Sequence, residues 1–146
     1  MSSNRGFVAS HAIPMLPGFL FALATQLAGQ GTPGHSYQVN FYQVRPGQER
    51  AYDSALAHVV SPVFDEMVKR KTVVAYLLLT KVAGSGDYTN LVIVEVGALA
   101  PGAFQEQLEL ASRARLHRSW DDATAAFPDL RRFVHAERYR PTIQEH

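Results

Sequence analysis

The chain of 146 residues has no cysteine, which excludes disulfide frameworks, zinc–thiolate sites and cysteine nucleophiles together. It also lacks a charge excess: 14 Lys and Arg stand against 13 Asp and Glu, a formal net charge of +1. Nucleic-acid binders usually carry a basic surplus on one face, so that class is set aside. Metal-ligand spacing is missing as well, since the histidines are scattered with no His-x-x-x-His and no Glu-x-x-His. Gly84-Ser85-Gly86 is no phosphate loop, because neither a helix nor a Lys-Ser/Thr pair follows it. What remains is a globular composition, 47% hydrophobic and 18% charged, long enough for one core and too short for two.

Acidic residues are absent from the first 36 positions, and Arg5 is the one basic residue there. An apolar stretch from Ile13 to Ala24 ends on the small residues Ala22-Leu23-Ala24, and Gly29 to Gly34 is small and polar. This is the layout of a secretory signal peptide, and the stretch falls short of the ~20 residues a membrane span needs. Residues 1–35 are therefore expected to be a leader for a secreted or periplasmic protein. The alternative is an N-terminal arm that docks on the domain or on a partner subunit.

From residue 36 onward the elements can be read in order. Tyr37 to Val44 is rich in aromatic and β-branched residues and stops at Arg45-Pro46-Gly47, so it reads as a strand and a turn. Gln48 to Arg70 carries Tyr52, Leu56, Val59, Val60, Val63, Phe64 and Met67 at spacings of three and four, one apolar helix face. Pro62 sits inside it and predicts a kink or break near Ser61. Val73 to Val82 and Tyr88 to Val96 read as strands around the loop Ala83 to Asp87. Phe104, Leu108 and Ala111 share one helical face, and Leu116, Trp120, Ala123 and Phe127 another whose phase does not join it, which predicts two helical pieces. Leu130 to Tyr139 is the last strand. The fold class is α+β, a ferredoxin-like split β-α-β-β-α-β with an antiparallel sheet.

The middle strands sharpen this reading. Val74, Tyr76 and Leu78 alternate with Val73, Ala75, Leu77 and Leu79, while Leu91 and Ile93 alternate with Val92, Val94 and Val96. Both sheet faces want burial, but one subunit has helices for only one of them. A homodimer joined sheet to sheet, closing an α+β barrel, is the expected cover.

The strand–turn–helix opening Val44-Arg45-Pro46-Gly47-Gln48-Glu49 and the run from Tyr76 to Val96 followed by Ala103-Phe104 resemble the dimeric α+β barrel superfamily. This superfamily includes antibiotic-biosynthesis monooxygenases, haem-degrading monooxygenases and small polyketide cyclases. The resemblance covers roughly residues 36–141 and is closest to exported members of unknown role. It implies a cavity between sheet and helices for a small hydrophobic or aromatic molecule, lined by Tyr, Asn, His and Trp, with no cofactor in the oxygenases and cyclases. In the haem-degrading members it implies an Asn on the first strand, a Trp at the end of the third and a His on the second helix. Asn40 matches the first and His117 suits the last, but Val96-Gly97 stands where the Trp would be.

The candidate site residues are His135, Asn40, Tyr76 and Glu95, with His117 as the haem candidate. Asn40 is a polar amide between Val39 and Phe41, aimed at either the helices or the dimer seam. His135 sits mid-strand on the face of Phe133, Glu137 and Tyr139, and Glu95 is its expected partner. That pair would be an acid–base couple or a polar pin at the seam. His58 reads as a boundary histidine at the edge of its helix stripe. The late arginines, among them Arg131, Arg132 and Arg138, read as salt-bridged surface. Two functions stay open: a cofactor-independent monooxygenase-like or proton-transfer enzyme, and a non-enzymatic ligand-binding or assembly module.

Overall fold

The computed structural model describes residues 34–142 apart from residue 101, so the expected leader or arm lies almost wholly outside the described residues. The order is β1 (Ser36–Val44), α1 (Glu49–Ala55), a π-helical turn (Leu56–Val60), α2 (Ser61–Lys69), β2 (Val73–Thr80), β3 (Asn90–Val96), α3 (Ala103–Leu116), α4 (Trp120–Thr124), α5 (Phe127–Leu130) and β4 (Arg131–Tyr139). The strands form one antiparallel sheet in the order β2-β3-β1-β4, the ferredoxin-like plan. No helix among the described residues is long and apolar enough to cross a membrane.

Local chemistry sets each boundary. At Arg45-Pro46-Gly47-Gln48 the Gln48 N–H bonds the Arg45 carbonyl at 3.0 Å, with Gly47 at φ 81°, a backbone conformation that side chains with a Cβ resist. The break expected near Ser61 is the π-helical turn just before it: the Ser61 N–H reaches back five residues to the Leu56 carbonyl. Pro62 has no N–H to give and its ring would crowd the carbonyl four residues back, so the widened turn absorbs it without ending the helix. The second helical region splits at His117, which takes a left-handed conformation at φ 57°. Ser119 then caps α4 by accepting from the Asp122 N–H at 3.1 Å, and Glu109 on α3 accepts from the Trp120 N–H at 2.8 Å. The strands stop at Thr80 and resume at Asn90, so the loop between them is longer than Ala83 to Asp87; the Lys81 N–H donates to the Thr89 carbonyl across its base, and Lys81 Nζ donates to the Gly86 carbonyl.

The sheet has two unlike faces. On the inner face Tyr42, Val44, Val73, Val92, Val94 and Val96 are buried with Phe64, Met67, Leu108 and Trp120 of the helices, the core of the domain. The outer face carries Phe41, Leu77, Leu79, Leu91 and Ile93, and there Leu77 is 56% and Leu79 41% exposed. Both faces of the middle strands are apolar, as their composition requires. Two irregularities move residues between faces. A register shift between Val73 and Ala75 turns Val73 inward, away from Leu77 and Leu79. A second, between Phe41 and Tyr42, leaves Val134 unpaired, so that Phe133 pairs with Tyr42 while His135 pairs with Phe41. Phe133 and His135 therefore do not share a face.

Candidate functional site

Along β1 the inward positions are Gln38, Asn40, Tyr42 and Val44, all buried. Two of them are amides. Asn40 is 0% exposed, and neither its Nδ2 nor its Oδ1 has a hydrogen-bond partner; the Nε2 of Gln38, 6% exposed, has none either. A buried polar group without a partner costs ~1–3 kcal/mol, so such groups are few in native proteins and each needs a cause. Cross-strand neighbours supply no polar group to Asn40, which faces Val92 on β3 and Ala136 on β4. Asn40 thus points toward the helices, away from the outer face where the seam is expected.

Two inward positions along β1 from Asn40, opposite Val44, Arg131 opens β4 and is only 4% exposed. Its Nη1 donates to the Tyr52 hydroxyl at 2.6 Å, and its guanidinium lies 3.6 Å from the Tyr42 ring centre and 4.6 Å from that of Phe127. This is a cation held by aromatic faces and a phenol oxygen. Reading Arg131 with the surface arginines is therefore corrected. Burial raises the pKa of Tyr42 well above the usual tyrosine value of 10.0 and also raises that of Tyr52, and the nearby Arg131 charge offsets only part of each shift. Both phenols stay protonated at neutral pH, fit to donate a hydrogen bond but not to accept a proton. A phenol whose folded pKa exceeds its unfolded value supports the fold below pH ~10 and withdraws that support as pH rises further. Phenolate absorbance during an alkaline titration should show Tyr42 ionising only together with unfolding; its ionisation in the folded protein near the value for free tyrosine would contradict the burial.

Tyr76 also lies on the inner face, on the edge strand β2. Its hydroxyl donates to Asp65 Oδ1 at 2.7 Å, with the Ser61 carbonyl at 3.4 Å, and its ring meets Phe64 edge-on at 5.3 Å. Partial burial, then the hydrogen bond to Asp65, raise its pKa. β3 separates β2 from β1, so Tyr76 and Asn40 share a face across Val92 and Val94, with the Tyr76 hydroxyl engaged by α2.

His135 and Glu95 are on the opposite, outer face, and they are not partners. His135 is exposed, stacks on Phe41 at 4.1 Å and 16°, and reaches Glu137 Oε1 at 3.1 Å. Glu137 also accepts from the Tyr139 hydroxyl. Glu95 accepts instead from His35 Nδ1 at 2.8 Å. In register, Glu95 stands opposite Tyr37 and His135 opposite Phe41, four residues apart on β1, ~13 Å along a strand. The buried acid–base couple expected of them is not formed.

His117 is exposed at the end of α3, its N–H bonded to the Arg113 carbonyl. Trp120 packs on Phe64 at 6.4 Å inside the helix layer, not at a strand end. With Asn40 on the inner face of the sheet, His117 in solvent at the end of α3 and no Trp at the end of β3, these residues do not fit one haem site. His58 is exposed, its Nδ1 donating to the Ser54 carbonyl at 2.8 Å, a boundary residue as read. Among the described residues no group of three or more His, Asp and Glu could hold a metal ion.

Sequence reasoning singled out Asn40 but missed Gln38 and Arg131. A polar pair at alternate positions of a strand whose next two inward residues are Tyr42 and Val44 was the available signal for Gln38. Nothing in the spacing distinguishes Arg131 from Arg132 beside it.

No family model and no curated protein sequence matches the chain. Among solved structures it is similar to HapK from Hahella chejuensis, at 12% identity and a TM-score of 0.52, over 76% of this chain and 96% of that one. It is also similar to a Chloroflexus aurantiacus J-10-fl protein provisionally described as an antibiotic biosynthesis monooxygenase, at 14% identity and a TM-score of 0.46, over 77% and 98%. At these identities the likeness concerns the fold alone. The chain has a ferredoxin-like α+β fold.

Proposed function

We propose that this protein binds a small, flat, largely hydrophobic molecule between its sheet and its helices, with Asn40 as the polar contact that orients it. The observation that carries the reading is the Asn40 side chain, wholly buried with both amide atoms unpartnered. A ligand hydroxyl or amide, which both donates and accepts, would satisfy both atoms at once. Turnover, where it occurs, belongs to the monooxygenase-like class that needs no cofactor. The inner face holds phenols kept protonated beside the apolar core, whereas the candidate proton acceptors His135 and Glu95 stand on the other side of the sheet. A proton-transfer mechanism through His135 and Glu95 is therefore not part of the proposal.

The working unit is a homodimer in which the outer faces of two sheets meet, covering Leu77, Leu79, Leu91 and Ile93. Secretion is proposed from the apolar stretch between Ile13 and Ala24. Trp120 is the one tryptophan and lies in the helix layer, so its fluorescence reports events there. Titrating 2-naphthol should change that fluorescence saturably in the wild-type protein. Asn40→Leu is expected to weaken binding roughly tenfold, the worth of one well-formed hydrogen bond in a water-poor site. Equal affinity in the folded variant would remove Asn40 from the site.

A further inference from the structure

We infer that Gln38 and Asn40 act together as a two-point clamp that selects ligands carrying two oxygens on the same edge of a flat ring system; the inference rests on the ligand site proposed above. The two amides are two residues apart on β1, so they leave the same face of the strand nearly parallel and ~6.7 Å apart. Their unmet hydrogen-bonding capacity differs. Asn40 has a free donor and a free acceptor, whereas the group without a partner on Gln38 is its donor Nε2. The complement to Asn40 is a hydroxyl, which can accept and donate; the complement to Gln38 is any oxygen with a lone pair.

The surroundings give this pair a direction and a shape. Asn40 lies between Val92 and Ala136, and Gln38 between Val94 and Arg138. The two valines are fully buried and aliphatic, a wall for a ring rather than for a charge, and Ala136 presents only a methyl. Tyr37 and Ser36 are half-buried and Arg138 is exposed, so burial deepens from the start of β1 inward to Asn40. Gln38 is thus the outer contact and Asn40 the inner one. Gln is also one methylene longer, which tilts the favoured ligand edge away from the sheet at its outer end. A molecule with one oxygen meets Asn40 alone. One with oxygens on opposite edges cannot reach both amides without turning its ring into the sheet.

The test uses three probes on the full chain: 2-naphthol, 2,7-dihydroxynaphthalene with both oxygens on one edge, and 2,6-dihydroxynaphthalene with oxygens on opposite edges. Binding to the wild-type protein, read by Trp120 fluorescence and calorimetry, should favour the 2,7 isomer over 2-naphthol by roughly fivefold to tenfold, one added hydrogen bond. The 2,6 isomer should bind like 2-naphthol. Gln38→Met keeps the length of the side chain and removes the donor; in this variant the preference should fall to about onefold while 2-naphthol keeps its affinity. A preference that survives Gln38→Met in a protein whose thermal unfolding stays cooperative overturns the clamp. Asn40→Leu separates the two levels of the argument, because it should weaken all three probes. Undiminished binding there, or no binding of any probe to the wild-type protein, overturns the ligand site itself and the clamp with it.

Discussion

Arg131→Leu is expected to lower the stability of the domain by about 3 kcal/mol. The guanidinium is buried, donates to the Tyr52 hydroxyl at 2.6 Å and lies over the rings of Tyr42 and Phe127. Losing it leaves the Tyr52 oxygen without that donor, worth ~1–3 kcal/mol, and forfeits contacts with the rings worth ~0.5–2 kcal/mol. Leucine is also shorter than arginine and leaves part of the aromatic box unfilled. Against this stands the relief of no longer burying a charge, which limits the net loss. Arg131→Lys should be destabilised as well, since an ammonium cannot lie flat against several rings while donating to Tyr52. Urea unfolding is the measurement: the midpoint should fall with an unchanged slope. A shift under ~0.5 kcal/mol would show that the box holds its shape without the cation.

The second large effect concerns association. Replacing Leu77 and Leu79 together by lysine should leave the single subunit almost as stable as before, because both side chains are substantially exposed in it. In the proposed dimer the same residues lie at the seam, and each change appears twice. Losing four buried leucines and bringing like charges together should weaken association roughly a thousandfold, about 4 kcal/mol. Sedimentation equilibrium across a concentration series should find twice the chain mass for the wild-type protein and the chain mass for the variant. Identical masses for the two would place the outer face outside the interface.

Much of the fold was legible because periodicity and punctuation agree along the chain. The apolar spacing from Tyr52 to Met67 and the Pro46-Gly47 turn locate the first helix, and the out-of-phase stripes on either side of His117 locate the break in the second. Pro62 signalled an irregularity, though whether a kink, a break or a widened turn absorbs it depends on packing that spacing does not encode. The site was less legible. A polar residue at position 40 is visible as an exception in an apolar strand, but its direction depends on which face the helices cover. The register shift at Val134 is invisible in the residues, and it alone separates Phe133 from His135. Pairing His135 with Glu95 assumed a register between β3 and β4, yet β1 lies between them and offsets the two residues. Arg131 was hidden for a different reason: charge patterning counts arginines without telling which one folds inward.

The account depends most on the idea that Asn40 is retained at the expense of stability so that something else can use its amide. Equilibrium unfolding of the unliganded protein, wild type against Asn40→Leu, tests this most directly. Removing two buried atoms that lack partners and adding apolar surface should make the variant more stable, by about 1–2 kcal/mol. An Asn40→Leu protein that unfolds more easily than the wild type by the same amount would mean that the amide is already satisfied within the fold, and the proposed ligand site would be contradicted.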